Sequence, residues 1–228
     1  MKKNTYNIFA TILIITCTIS CHNQKIKKHD YKYDVIIHRD IWGVPHIYGK
    51  TDKDAAFGLA YAHMEDDFKT IQDVILALKG KSASIYGKNN APIDYLVGLL
   101  KVWDTVNKNY DDQLSDNIKS ICEAYADGIN RYIEKYPNDV INEIYPVSAK
   151  DIIAGFVFRT PLMFELDWYI KELMKEKKPN FNNTRYANKN SEFSMYGSNI
   201  MAVSPNRSAD KHTRITTNSH QPWTGPVT

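Results

Sequence analysis

The sequence has little excess charge, few cysteines and no apolar run long enough to span a membrane. Its net charge is only +3, and its fifteen tyrosines and four tryptophans are scattered rather than alternated with a basic stripe, so nucleic-acid binding has little support. Ten glycines and nine prolines in 228 residues exclude a collagen-like chain. The 43% of hydrophobic residues is enough for the core of one or two domains.

Residues 1–21 have the pattern of an export signal. Lys2 and Lys3 precede an apolar run at residues 8–19, which is shorter than the ~20 residues that cross a bilayer as a helix. The run ends in TISC at residues 18–21, which resembles a bacterial lipoprotein signal with Thr18 in place of the usual leucine. We expect an exported protein, periplasmic or anchored in the outer membrane through lipid on Cys21, with residues 22–31 as a polar tether. An ordinary cleaved signal is the alternative.

This processing limits the cysteine chemistry. If Cys17 is removed and Cys21 is lipidated, only Cys122 remains, so no internal disulfide is expected. Cys122 lies in a helical pattern, which favours a small core residue over a reactive thiol.

The folded region is predicted to open with two strands and a capped helix. Residues 35–37 are a β-branched run, and residues 47–48 follow a turn at Gly43-Val44-Pro45. Thr51, with Asp54 three residues later, predicts the N-cap of a helix.

The middle of the chain is predicted to be mostly helical. One apolar periodicity covers residues 68–78, and the clearest helix starts near Asp111 or Asp112 and ends at Pro137. Its apolar positions recur at steps of three or four: Leu114, Ile118, Ile121, Tyr125, Ile129 and Tyr132.

A further helix is predicted from Ser148, with Asp151 completing its cap, and Pro161 should kink or divide it before residues 162–174. Residues 32–176 therefore form a mostly helical region. Residues 177–197 are polar and Asn-rich and are predicted to be an exposed linker. Two strands, at residues 200–203 and 213–217, should then follow around a turn-rich piece at residues 204–211.

Four motifs in a fixed order carry a resemblance to a known family. They are RDIWGVPHI at residues 39–47, FGLAYAHMED at 57–66, AYADGINRYI at 124–133 and GSN at 197–199. Together they resemble the penicillin acylase family of the N-terminal-nucleophile hydrolase superfamily. Two departures are Met64, where a small residue is usual, and Asp67, where arginine is common; both concern local packing.

The resemblance implies an α+β fold, the αββα N-terminal-nucleophile hydrolase fold, of which this chain supplies the helical first subunit and the first strands of the second. Family members continue for several hundred residues beyond the GSN motif. Residues 198–228 are therefore expected to open a truncated catalytic subunit, with the oxyanion donors and a catalytic asparagine lying beyond Thr228. Such a fragment should be inactive by itself.

By this resemblance Ser198 is the nucleophile, and the chain is cut autocatalytically between Gly197 and Ser198. A serine hydroxyl needs a base, and in the superfamily that base is the new α-amine of the nucleophile itself. An α-amine titrates near ~8 and a lysine near ~10.4, so the amine is the better base at neutral pH. Gly197 suits the cut because it lacks a Cβ and allows a strained backbone.

His220, within NSHQP, resembles the histidine that follows the nucleophile in relatives acting on acyl-homoserine lactones, lipopeptides and cephalosporins. Its expected role is to orient the amine or a water and to assist activation. A surface histidine in a proline-bounded loop is the alternative.

Two further sets of residues follow from the resemblance. Met163, Phe164 and Trp168 lie near the part of the first subunit that lines the acyl pocket, although their helical spacing favours core packing. Glu165 is similar in position to a ligand of the structural calcium ion of some relatives, but its surroundings match poorly. No cofactor is expected for catalysis. The spacing of His46, His63 and the acids at residues 65–67 does not match a zinc site, and a solvated helix end explains the acids.

The predicted function is an exported acylase precursor that hydrolyses a linear amide with a hydrophobic acyl group and pairs with its own second subunit after cleavage. An acyl-homoserine lactone is favoured over a β-lactam side chain because of His220. Two alternatives are a non-catalytic surface lipoprotein that binds a ligand, and a serine amidase that uses a Ser-His dyad without processing.

Overall fold

A computed structural model describes residues 30–164, 166–173 and 197–220. The fold begins with an antiparallel hairpin of β1 (Val35–Arg39) and β2 (Pro45–Gly49), which confirms the two predicted strands. The hairpin packs on helix α1 (Asp52–Leu78) at Gly58, where an added Cβ would lie 2.6 Å from the side chain of Val35. Glycine is required at this position because the hairpin and the helix approach so closely.

Helix α1 begins as predicted and is interrupted near its middle. Thr51 and Asp54 form a reciprocal capping box. At Asp67 the backbone leaves the helical region (φ −149°, ψ 62°), and the Asp67 side chain accepts a hydrogen bond from Thr70 N at 3.2 Å. Asp67 therefore acts as the N-cap of the second half of the helix, a position that favours aspartate.

Three helices between residues 82 and 113 were not predicted from the sequence: α2 (Ser82–Tyr86), α3 (Ala91–Leu99) and α4 (Val102–Gln113). Asp94 of α3 accepts hydrogen bonds from Ser82 N at 2.9 Å and Ala83 N at 2.8 Å, which caps the short helix α2 from outside. The partner that stabilises this helix is thus distant in sequence.

Helix α5 (Asp116–Lys135) starts later than predicted. Ser115 accepts a hydrogen bond from Ile118 N and serves as the N-cap, while Leu114 lies in the break after α4. A start at Asp111 or Asp112 was therefore wrong, because the apolar spacing continues across two helices.

Helix α6 (Ala149–Met163) opens with the predicted capping box of Ser148 and Asp151. It contains Pro161 and ends two residues later, and α7 (Leu166–Leu173) follows. The predicted division of this region after the proline is confirmed.

The main core lies between α1 and α5. These helices approach so closely that a Cβ on Gly128 would lie 2.4 Å from the Phe57 carbonyl oxygen. The buried cluster there consists of Ala60, Met64, Ile75, Leu76, Ala126, Ile129, Ile133, Ile144 and Val147. Met64 is fully buried, so the core accommodates the departure at this position. Cys122 is also buried, as expected, and burial raises the pKa of its thiol.

Polar side chains join the core to its surroundings. The buried Asn130 amide donates to Val147 O at 2.7 Å and accepts from Val147 N at 2.8 Å. Tyr31 Oη donates to Glu134 Oε1 at 2.7 Å, and Tyr33 Oη donates to Asp127 Oδ2 at 2.7 Å. The segment before β1 is therefore held against α5.

A separate antiparallel ribbon is formed by β3 (Gly197–Val203) and β4 (Arg214–His220). Both predicted strands and the turn-rich piece between them are confirmed. Within the described residues, no helix combines the length and the apolar character that crossing a membrane requires.

Candidate functional site

The ribbon places the two predicted catalytic residues at neighbouring positions. In its register Gly197 lies opposite His220, and Ser198 lies opposite Ser219. Directly opposite residues of an antiparallel pair have Cα atoms ~4.5–5.5 Å apart. The backbone of His220 therefore lies beside the predicted cleavage point, although the sequence separates these residues by most of the ribbon.

Ser198 is the second residue of β3, and its side chain is exposed. This exposure is compatible with a reacting group. The side chains of Ser219 and His220 fall outside the described part of the structure. The register accordingly supports proximity of the two backbones, and the roles of Ser198 and His220 stay predictions.

Asp210, which the sequence did not single out, fixes the turn that determines this register. Its carboxylate accepts hydrogen bonds from Ser208 Oγ and from His212 N, and it is ion-paired with Arg214 at the start of β4. The hydrogen bond from Ser208, followed by that from His212, holds the Asp210 pKa below its usual range. The signal for this role was the short Ser-Ala-Asp sequence, which is typical of a turn closed by its own side chains.

The predicted acyl-pocket residues are not core residues where the structure describes them. Met163 is 51% exposed and Phe164 is 71% exposed at the end of α6. The expectation that their helical spacing indicates core packing was wrong, because both side chains are exposed where α6 ends. The Trp168 side chain and all of Glu165 lie outside the described residues.

The acids at residues 65–67 are exposed where the first half of α1 ends, as expected of a solvated helix end, and two of them also form ion pairs. Arg39 Nη2 lies 3.1 Å from Glu65 Oε2, and Arg39 Nη1 lies 2.8 Å from Asp66 Oδ1. These residues, with Tyr132 and Tyr136, line an open cleft of about 460 Å³. None of the predicted site residues lines this cleft. The ion pairs of Arg39 connect the hairpin to α1.

His63 takes part in a helix contact. Its Nδ1 lies 2.8 Å from Tyr125 Oη of α5, and burial lowers its pKa. Across residues 30–164, 166–173 and 197–220, no group of three or more His, Cys, Asp or Glu side chains is arranged to hold a metal ion.

The ribbon places an exposed hydroxyl next to the predicted cleavage point. An exposed hydroxyl follows a glycine at the first residues of a strand, and the paired strand supplies polar backbone and the position of His220. A hydroxyl in this place is suited to attack a carbonyl once a base removes its proton.

Comparison with known proteins gives a consistent result. The sequence model of the Penicillin amidase family matches residues 34–228. An acyl-homoserine lactone acylase PvdQ of Pseudomonas fluorescens is 24% identical over 213 residues, which is 83% of this chain and 27% of that protein. An acyl-homoserine lactone acylase QuiP of Pseudomonas putida is 29% identical over 103 residues, covering 45% of this chain and 12% of that protein. The chain thus spans about a quarter or less of the length of these relatives.

A solved structure of a thermostable penicillin G acylase from Alcaligenes faecalis is also similar. It has 18% sequence identity and a TM-score of 0.47, covering 63% of this chain and 80% of that chain.

Proposed function

We propose, because the chain belongs to the penicillin amidase family, that it contains the nucleophile of an amide hydrolase and that this nucleophile is Ser198. The observation that carries the proposal is the match over residues 34–228, which continues through Gly197 and Ser198 into the ribbon. The register of the ribbon supports it by setting His220 opposite Gly197.

The first step is cleavage of the chain. The Ser198 hydroxyl attacks the carbonyl carbon of Gly197, the peptide C–N bond breaks, and the Ser198 nitrogen becomes an amine while Gly197 is held as an ester. Water then hydrolyses the ester, so the upstream piece ends in a carboxylate and Ser198 starts a new chain. Gly197 favours the step because a residue without a Cβ lets the hydroxyl approach.

The second step is hydrolysis of a substrate amide. The α-amine of Ser198 accepts the hydroxyl proton, and the oxygen attacks the substrate carbonyl to form an acyl ester. The leaving amine takes up the proton, and water releases the carboxylic acid. An α-amine with a pKa of ~8 is partly neutral at pH 7, whereas a lysine with a pKa of ~10.4 is almost fully charged.

The acyl group is proposed to be hydrophobic, with a fatty-acyl homoserine lactone favoured over a β-lactam side chain. His220 and the two acyl-homoserine lactone acylases among the relatives support this preference. The exposed apolar side chains of Met163 and Phe164 are available to contact an acyl chain. The two pieces are proposed to stay together as a heterodimer after cleavage.

Export and anchoring complete the proposal. The lipoprotein-like signal supports an exported protein held at a membrane through Cys21, with residues 177–197 as the spacer before the cut. No cofactor takes part in the reaction. Glu165 is the candidate ligand of a structural calcium ion.

The test is release of fatty acid from a long-chain acyl-homoserine lactone by protein expressed from its complete gene. Wild-type protein is expected to release acid faster from this substrate than from penicillin G, Ser198→Ala to release none, and Ser204→Ala, a matched exposed serine, to retain the activity. Failure of a correctly cleaved protein to hydrolyse either amide would favour a non-catalytic binding module. Activity in an uncut Gly197→Pro variant would favour a Ser-His dyad.

A further inference from the structure

The outer face of the β1–β2 hairpin carries two histidines opposite each other. The register pairs His38 with His46, and both are exposed. Side chains at directly opposite positions share one face, with Cβ atoms ~4.5–5.5 Å apart. The two imidazoles therefore start from neighbouring points on one side of the hairpin.

A carboxylate orients one of these rings. Asp40 Oδ2 lies 3.2 Å from His46 Nε2, while Asp40 Oδ1 accepts hydrogen bonds from Trp42 N at 2.8 Å and Val44 N at 3.0 Å. The carboxylate is thus fixed by the turn, and its contact with Nε2 leaves Nδ1 as the other ring nitrogen of His46.

We propose that His38 and His46 bind a divalent transition-metal ion of the zinc type, with Asp40 as the positioning residue for His46. Neutral imidazole suits zinc, copper and nickel, and Zn–N bonds are ~2.0–2.1 Å long. A metal-binding histidine typically donates its other ring N–H to a carboxylate, as His46 does to Asp40 when Nδ1 takes the metal.

The positive charge nearest in sequence is held away from this face. The nearest arginine in sequence, Arg39, is engaged by Glu65 and Asp66 on the helix side of the hairpin. Because the described residues offer no set of three or more ligands around one point, water completes the coordination. The site is therefore open and binds the ion less tightly than a structural zinc site does. A bound ion stabilises the hairpin register next to the exposed turn at Ile41 and Trp42.

The proposal is tested by calorimetric titration of the full chain with Zn²⁺ alone in metal-free buffer. One ion per chain is expected at the hairpin, His38→Ala and His46→Ala should each lose it, and Asp40→Asn should weaken it by ~10–100-fold, as loss of an outer-shell partner does. The matched control is His212→Ala, an exposed histidine of the β3–β4 turn, which should bind as the wild type does. Unchanged binding in both hairpin histidine variants would overturn the proposal.

A second measurement needs no variant. In NMR spectra of the histidine rings of the wild-type chain, Zn²⁺ should shift the signals of His38 and His46 and leave that of His212 unchanged. Shifts confined to other histidines, or no shift at all, would contradict the assignment.

Discussion

The helical body, residues 52–163, and the β3–β4 ribbon are stabilised in different ways. The body buries large side chains between α1 and α5, where Ile129 is 2% exposed, whereas Ile200 of the ribbon is 69% exposed. In the ribbon only Ser208 is buried among the side chains that the structure describes. A two-stranded ribbon is marginal alone, so the region with the proposed nucleophile is the one whose own packing contributes least to its stability.

This difference separates two kinds of sequence signal. The motifs of the body are explained by packing: Gly58 and Gly128 permit close approach, and Asn130 bonds to buried backbone. The motif Gly197-Ser198-Asn199 lies in the ribbon, where the side chains of Ser198 and Asn199 are exposed. For this motif we propose a chemical reason, the reaction that a glycine followed by a serine permits.

The largest expected contrast comes from the same substitution in both regions. Ile129→Ala should lower the free energy of unfolding by ~2–5 kcal/mol, because it opens a cavity in the core. Ile200→Ala, at an exposed position, should lower it by less than ~1 kcal/mol. Urea unfolding followed by circular dichroism measures both, and equal losses would mean that the ribbon is packed as tightly as the body.

Asn130→Ala should cost ~2–4 kcal/mol, because Val147 N–H and C=O lose their buried partner. Asn117→Ala is the matched control on the same helix, where the side chain is exposed, and should change stability by less than ~0.5 kcal/mol. A cost for Asn130→Ala no larger than that of the control would show that the amide does not join α5 to the segment before α6.

Gly128→Ala should destabilise the body by ~1–3 kcal/mol, because its Cβ meets the Phe57 carbonyl. Gly98→Ala, on α3 with open space around the new Cβ, should instead stabilise by ~0.5–1 kcal/mol. Thermal unfolding separates the two by sign, and two changes of the same sign would refute the close contact of α1 with α5.

The smallest effect concerns pH. Burial lowers the pKa of His63 in the folded chain, so the unfolded chain binds the proton more readily as pH falls below its ordinary value of ~6.5. Stability from this group is present above that pH and is lost as pH falls through the window below it. His63→Gln should flatten the fall in urea midpoint between pH 7.5 and 5.5, and His212→Gln, in the exposed ribbon turn, should not.

Local signals in the sequence predicted much of the body. The capping boxes at Thr51 and Ser148 and the turn at Gly43 gave correct elements because the groups that stabilise them are within a few residues. Helix α2 was missed because Asp94 caps it from another helix, and the start of α5 was misplaced because apolar spacing continues across Leu114. Contacts between residues far apart in the sequence could not be predicted from local patterns.

The resemblance to the family indicated Ser198 and His220, and their catalytic roles stay predictions. The geometry could not be predicted in the same way, because the register that sets His220 opposite Gly197 depends on a turn closed by Asp210. The helical spacing of Met163 and Phe164 predicted burial, whereas both side chains are exposed.

We expect the chain to be cut before Ser198 by Ser198 itself. The direct measurement is N-terminal sequencing of the bands that protein expressed through the end of its gene gives on a denaturing gel. We expect a second piece that begins Ser198-Asn199-Ile200 in the wild type, and a single uncut chain in Ser198→Ala. A single uncut chain from the wild-type gene, or an unchanged cut in Ser198→Ala, would contradict it.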